Sequence, residues 1–79
     1  MKLSKREIKK VLKSRNFDLE FEYRQKYGSI IPDYDAEDAY SLAFEGEVLD
    51  VDSLAGALNA KFFEGKSILE IYEDADFGY

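Results

Sequence analysis

Seventeen carboxylates, six tyrosines and no cysteine or histidine set the chemistry open to this 79-residue chain. Without Cys or His there is no thiolate nucleophile and no Ser–His pair, and the commonest zinc ligands are missing. What remains for catalysis is a pair of carboxylates. Such a pair works only in a cleft that drives its two pKa values apart, and a thin layer of strands under two helices seldom builds one. The expectation is therefore a protein that is not an enzyme, with no cofactor and no metal.

Two segments look like ligand loops and fail on spacing. Ala60-Lys61-Phe62-Phe63-Glu64-Gly65-Lys66-Ser67 follows a relaxed phosphate-loop pattern with Ala in place of the first Gly. Its middle is aromatic, and it lies at the end of an expected helix rather than between a strand and a helix. The plainer reading makes Gly65 a helix C-terminal residue. Asp33-Tyr34-Asp35-Ala36-Glu37-Asp38 opens like a calcium loop, with oxygens at its first, third and fifth positions. That loop also needs Gly at its sixth position and Glu at its twelfth; here Asp38 and Phe44 stand there.

Charge is the most informative feature. Residues 1–26 hold nine basic and four acidic side chains, +5, and residues 27–79 hold two and thirteen, −11. From Tyr27 to Ala60 there is no Lys or Arg, but there are eight carboxylates: Asp33, Asp35, Glu37, Asp38, Glu45, Glu47, Asp50 and Asp52. Tyr34 and Tyr40 are interleaved with them. The plain reading is a solvated surface that keeps the protein soluble. The sharper one is a face for a basic partner, since complementary charge steers encounter and exposed aromatics anchor it. Asp33, Tyr34, Asp35, Glu37, Asp38, Tyr40, Glu45 and Glu47 are the candidate partner-binding residues. Duplex DNA carries one negative charge per roughly 1.7 Å of axis. A folded array of carboxylates can imitate it and occupy a nucleic-acid-binding protein, in the manner of inhibitors made by phages and mobile elements.

The elements that must position this belt begin with a basic helix. Ser4 and Glu7 have capping-box spacing, Leu3 and Ile8 that of a hydrophobic staple. Ile8, Val11 and Leu12 form the apolar stripe, and Asn16 is the expected stop. Lys5, Arg6, Lys9, Lys10, Lys13 and Arg15 cover the remaining faces. They could meet phosphates, but the acidic remainder repels nucleic acid, so no direct nucleic-acid binding is expected. The helix suits acidic parts of its own fold, or another copy in a homo-oligomer, better.

Phe17 to Arg24 alternates strictly and reads as a half-buried strand. Gln25 to Asp38, with Gly28, Ser29 and Pro32, reads as a long acidic loop. Ala39 to Val51 reads as a second strand, Val51 to Glu64 as a second helix capped by Asp50 or Asp52. Residues 67–75 are open between strand and helix, with strand favoured on Ile and Tyr content. Residues 74–79 read as a frayed tail.

The expected fold is a small single α+β domain of order α-β-β-α-β, with a short, mainly antiparallel sheet packed by two helices. Its expected core is Ile8, Val11, Leu12, Phe17, Leu19, Phe21, Tyr23, Leu42, Phe44, Leu54, Leu58, Phe62, Leu69 and Ile71. No apolar run reaches the roughly 18 residues of a membrane span, and no signal-peptide core follows Met1, so a cytoplasmic address is expected. The leading expectation is a non-catalytic acidic protein that inhibits or modulates a partner by occupying its basic surface. The alternative is a structural or accessory subunit completed by self-association or by another chain.

Overall fold

Five antiparallel strands in the order β4-β3-β2-β1-β5 form the sheet. In the computed structural model, which describes residues 1–78, the elements are α1 (Lys5–Ser14), β1 (Leu19–Tyr23), β2 (Lys26–Pro32), β3 (Tyr40–Phe44), β4 (Glu47–Val51), α2 (Leu54–Asn59), α3 (Ile68–Ile71) and β5 (Ala75–Phe77). A single 3-10 turn, Tyr72–Asp74, joins α3 to β5. The α+β class and the antiparallel sheet match expectation. The order is α-β-β-β-β-α-α-β rather than α-β-β-α-β.

α1 starts as its sequence dictates. The Ser4 hydroxyl accepts from the Glu7 N–H at 3.1 Å, and the Glu7 carboxylate accepts from the Ser4 N–H at 2.9 Å. Leu3 and Ile8, the staple pair, are both buried. The stop falls one residue before Asn16: Arg15 takes the left-handed conformation at φ 56°. That conformation costs a non-glycine residue about 1 kcal/mol. Tertiary contacts of its guanidinium, described below, outweigh that local preference.

The expected 25–38 loop is half strand. Lys26–Pro32 forms β2, in register with β1 (Phe21 opposite Gly28) and β3 (Ile30 opposite Leu42). Gly28 is a packing residue here. A Cβ on it would sit 2.6 Å from Phe21 Cζ and 3.1 Å from Phe44 Cδ1, so the two rings need its empty side. The β1–β2 turn is Arg24-Gln25, both left-handed at φ 52° and 67°. The expected strand over 39–51 is a hairpin, β3 and β4, folded at Glu45-Gly46 with φ 52° and 81°. Two positive φ values in a two-residue loop match the right-handed twist of the flanking strands.

The second helix is shorter than expected. Ser53, not Asp50 or Asp52, caps it, its hydroxyl accepting from the Gly56 N–H at 2.9 Å. The helix ends at Asn59, and Phe63 pairs with Lys66 across a tight turn at Glu64-Gly65. This places Phe63, rather than the expected Phe62, at the centre of the core. Phe63 is fully buried and meets Phe21 and Phe44 edge-on at 5.2 and 5.5 Å. Gly65 therefore serves a turn and not a helix end.

The last segment divides into helix, 3-10 turn and strand, correcting the strand expected over 67–75. β5 pairs with β1, Phe21 opposite Phe77, so 75–77 is sheet rather than frayed tail; Tyr79 lies outside the described residues. Phe17 lies before β1 and is 51% exposed, which removes it from the expected core. The helices pack on the face that carries Leu19, Phe21, Ile30, Leu42 and Phe44. The opposite face presents Glu22, Tyr27 and Val48 to solvent.

Candidate acidic interface

The connection from β2 to β3, residues 33–39, is the shortened acidic loop. Its own polar groups shape it. The Asp33 carboxylate accepts from the Asp35 N–H at 3.0 Å, and Asp33 N–H donates to Ala39 O at 2.9 Å, closing the loop's neck. Asp38 is left-handed at φ 65°, which Asp tolerates better than most residues. Arg15 holds the loop from the helix side. Its guanidinium donates to Asp33 O (2.6 Å), Ala39 O (2.9 Å) and Ala36 O (3.1 Å), and lies 4.8 Å from the Tyr40 ring centre. One residue of the basic helix thus serves the acidic part of its own fold.

The structure divides the candidate residues. Asp33, Tyr34, Asp35, Glu37 and Asp38 share the loop and are exposed, Tyr34 at 69%. Tyr40 does not join them as an anchor. It is buried, its hydroxyl donating to Leu12 O at 2.7 Å. Its place at the start of β3 points it inward with Leu42 and Phe44. Glu45 and Glu47 lie at the opposite end of β3, six residues and roughly 20 Å of strand from the loop. They do not form one surface patch with it.

The β3–β4 register supplies what the sequence left apart. Tyr40 pairs with Val51 and Ser41 with Asp50, so Asp50 and Asp52 return to the loop end of the sheet. Six carboxylates (Asp33, Asp35, Glu37, Asp38, Asp50 and Asp52) gather there. Among the described residues, the salt bridges are Met1 amino–Asp76, Arg24–Glu64, Lys26–Glu64 and Lys61–Glu70. None of them uses a carboxylate from the 33–52 belt. The carboxylates elsewhere are partly consumed by the fold. Lys26 holds the Glu64 carboxyl below its usual range, and the terminal amine does so for Asp76.

Among the described residues, no group of three or more His, Cys, Asp or Glu side chains is placed to hold a metal ion. No helix among them is long and apolar enough to cross a membrane. The 60–67 segment, with Phe63 fully buried in its middle and a tight turn at 64–65, has no phosphate-cradling loop. Comparison with protein-family models, curated proteins and solved structures finds no match to this chain.

Proposed function

We propose that this protein is a non-catalytic binding protein whose acidic sheet end engages the basic surface of a partner protein. A nucleic-acid-binding protein is the favoured partner, and inhibition or modulation is the outcome. The observation that supports this reading is the gathering of six carboxylates at one end of the sheet, none in a salt bridge among the described residues. Folding places six like charges there against mutual repulsion, with the Arg15 guanidinium on the loop's carbonyls as a partial offset. A partner's Lys and Arg side chains would relieve that repulsion, and Tyr34, exposed at the loop's tip, is the aromatic anchor.

The experiment is native mass at micromolar concentration in low and high salt, combined with capture from nuclease-treated lysate. A monomer that retains a basic protein at low salt and releases it at high salt supports the reading. Salt-indifferent self-association, or capture of an acidic partner that resists salt, overturns it in favour of an accessory subunit.

A further inference from the structure

The two edges of the sheet are treated differently by the chain itself. At β5, the outward-facing groups are covered by the N-terminal segment. The Phe77 N–H donates to Met1 O at 2.7 Å, and the Lys2 ammonium donates to Ala75 O at 3.0 Å. Among the described residues, nothing comparable occurs at β4, the other edge.

The two-residue turn at 45–46 makes Phe44 and Glu47 a mutually hydrogen-bonded pair. Alternation along the ladder then turns the backbone of Glu47, Leu49 and Val51 toward β3 and that of Val48 and Asp50 outward. Among the described residues, no hydrogen bond to the backbone of Val48 or Asp50 comes from outside the strand. The edge has no proline, lysine or bulge; what guards it is the charge of Glu47 and Asp50, which repels an acidic strand and admits a basic one. Val48 and Leu49 add apolar surface at 65% and 38% exposure.

We infer that β4 is a docking edge for an extended segment of the partner, one that carries cationic and apolar side chains in a set pattern. This rests on the basic-partner reading above and gives it a seat in the fold. Charge selects the occupant. Glu45, Glu47, Asp50 and Asp52 lie on or beside this edge, and no Lys or Arg occurs between residues 27 and 60. A second copy paired antiparallel would bring these four carboxylates and the same four of its twin to one seam with no cation from either strand, so summed like charge disfavours self-pairing and favours an occupant of opposite charge. An antiparallel segment would place apolar residues opposite Val51, Leu49 and Val48, and cations opposite Asp50 and Glu47. Read from its N-terminus, the matching segment is apolar–cationic–apolar–apolar–cationic.

The test uses an end-capped peptide, Gly-Val-Lys-Val-Val-Lys-Gly, titrated into the isotopically labelled full chain and followed by its amide resonances. The expected result is a downfield shift of the outward Val48 and Asp50 amide protons, larger than that of Leu49. Methylating the peptide amides that face Asp50 and Val48 should weaken binding about tenfold, since main-chain hydrogen bonds carry the contact. Val48→Pro should do the same while keeping the native melting temperature, because its N–H faces away from β3. If that variant fails to fold, the methylated peptide still decides. Shifts confined to residues 33–39 overturn the edge but leave the basic-partner reading standing. Equal affinity of the methylated peptide also overturns the edge alone. No binding of either peptide counts against both. Concentration-dependent mass without peptide, with β4 amides protected, replaces the partner by a second copy.

Discussion

Removing the Arg15 guanidinium should loosen the acidic end and cost a large share of the fold's stability. Its three hydrogen bonds to loop carbonyls are charge-assisted. The part-buried one to Ala39 O is worth about 1.5 kcal/mol and the two exposed ones about 0.5 kcal/mol each. Contact with the Tyr40 ring adds about 0.5 kcal/mol. Arg15→Ala should therefore destabilise by about 3 kcal/mol, since alanine keeps the left-handed strain at φ 56°. Arg15→Gly loses the same contacts but relieves about 1 kcal/mol of that strain, for a net loss of about 2 kcal/mol. At about 4–8 °C per kcal/mol for a domain of this size, Arg15→Ala should melt more than about 12 °C below the native chain. Urea unfolding gives the free energies, and amide exchange of Asp33, Asp35 and Ala36 reports the loop. An alanine variant within about 0.5 kcal/mol of native would refute the three-carbonyl clamp, and alanine and glycine variants of equal stability would refute the left-handed strain at Arg15.

Phe63→Ala should destabilise by about 3–5 kcal/mol, because a fully buried ring in edge contact with Phe21 and Phe44 leaves a cavity; a loss near 1 kcal/mol by urea unfolding would mean that the site collapses. Gly28→Ala should cost about 2 kcal/mol through the 2.6 Å approach to Phe21, read as a fall in denaturant midpoint with the transition slope unchanged. Glu70, held by Lys61 and by the Ser67 N–H, has its carboxyl pulled from 4.5 down to about 2. Its stabilisation is present above pH 4.5 and lost as pH falls toward 2, so the gap between native and Glu70→Gln should close over that window; a gap that does not change with pH counts against the pairing.

Local signals predicted α1 and β1 well because each carries its own instruction. Ser4 and Glu7 satisfy each other, and Leu19, Phe21 and Tyr23 alternate. β2 was hidden for a physical reason. Gly28, Ser29 and Pro32 read as punctuation, yet Gly28 is required by two rings from neighbouring strands, and Pro32 falls at the strand's end. Its turn was equally silent, since Arg24 and Gln25 adopt left-handed angles usually signalled by Asn or Gly. Phe62 against Phe63 could not be settled by helical spacing, because the chain leaves the helix at Asn59. At the candidate site, the loop carboxylates were legible from composition alone. The burial of Tyr40, the clamp by Arg15 and the recruitment of Asp50 and Asp52 depend on register and on one tertiary contact. No local pattern encodes those.

Paired capture with native and charge-reversed baits from nuclease-treated lysate measures whether the acidic end of the sheet engages a basic partner. The reversed bait carries Asp35→Lys, Glu37→Lys, Asp50→Lys and Asp52→Lys. It keeps Asp33, whose carboxylate shapes the loop, and left-handed Asp38. A basic nucleic-acid-binding protein should be held by the native bait at low salt and lost from the reversed bait, while circular dichroism and melting show the fold retained. The same protein held equally by both baits would contradict that engagement.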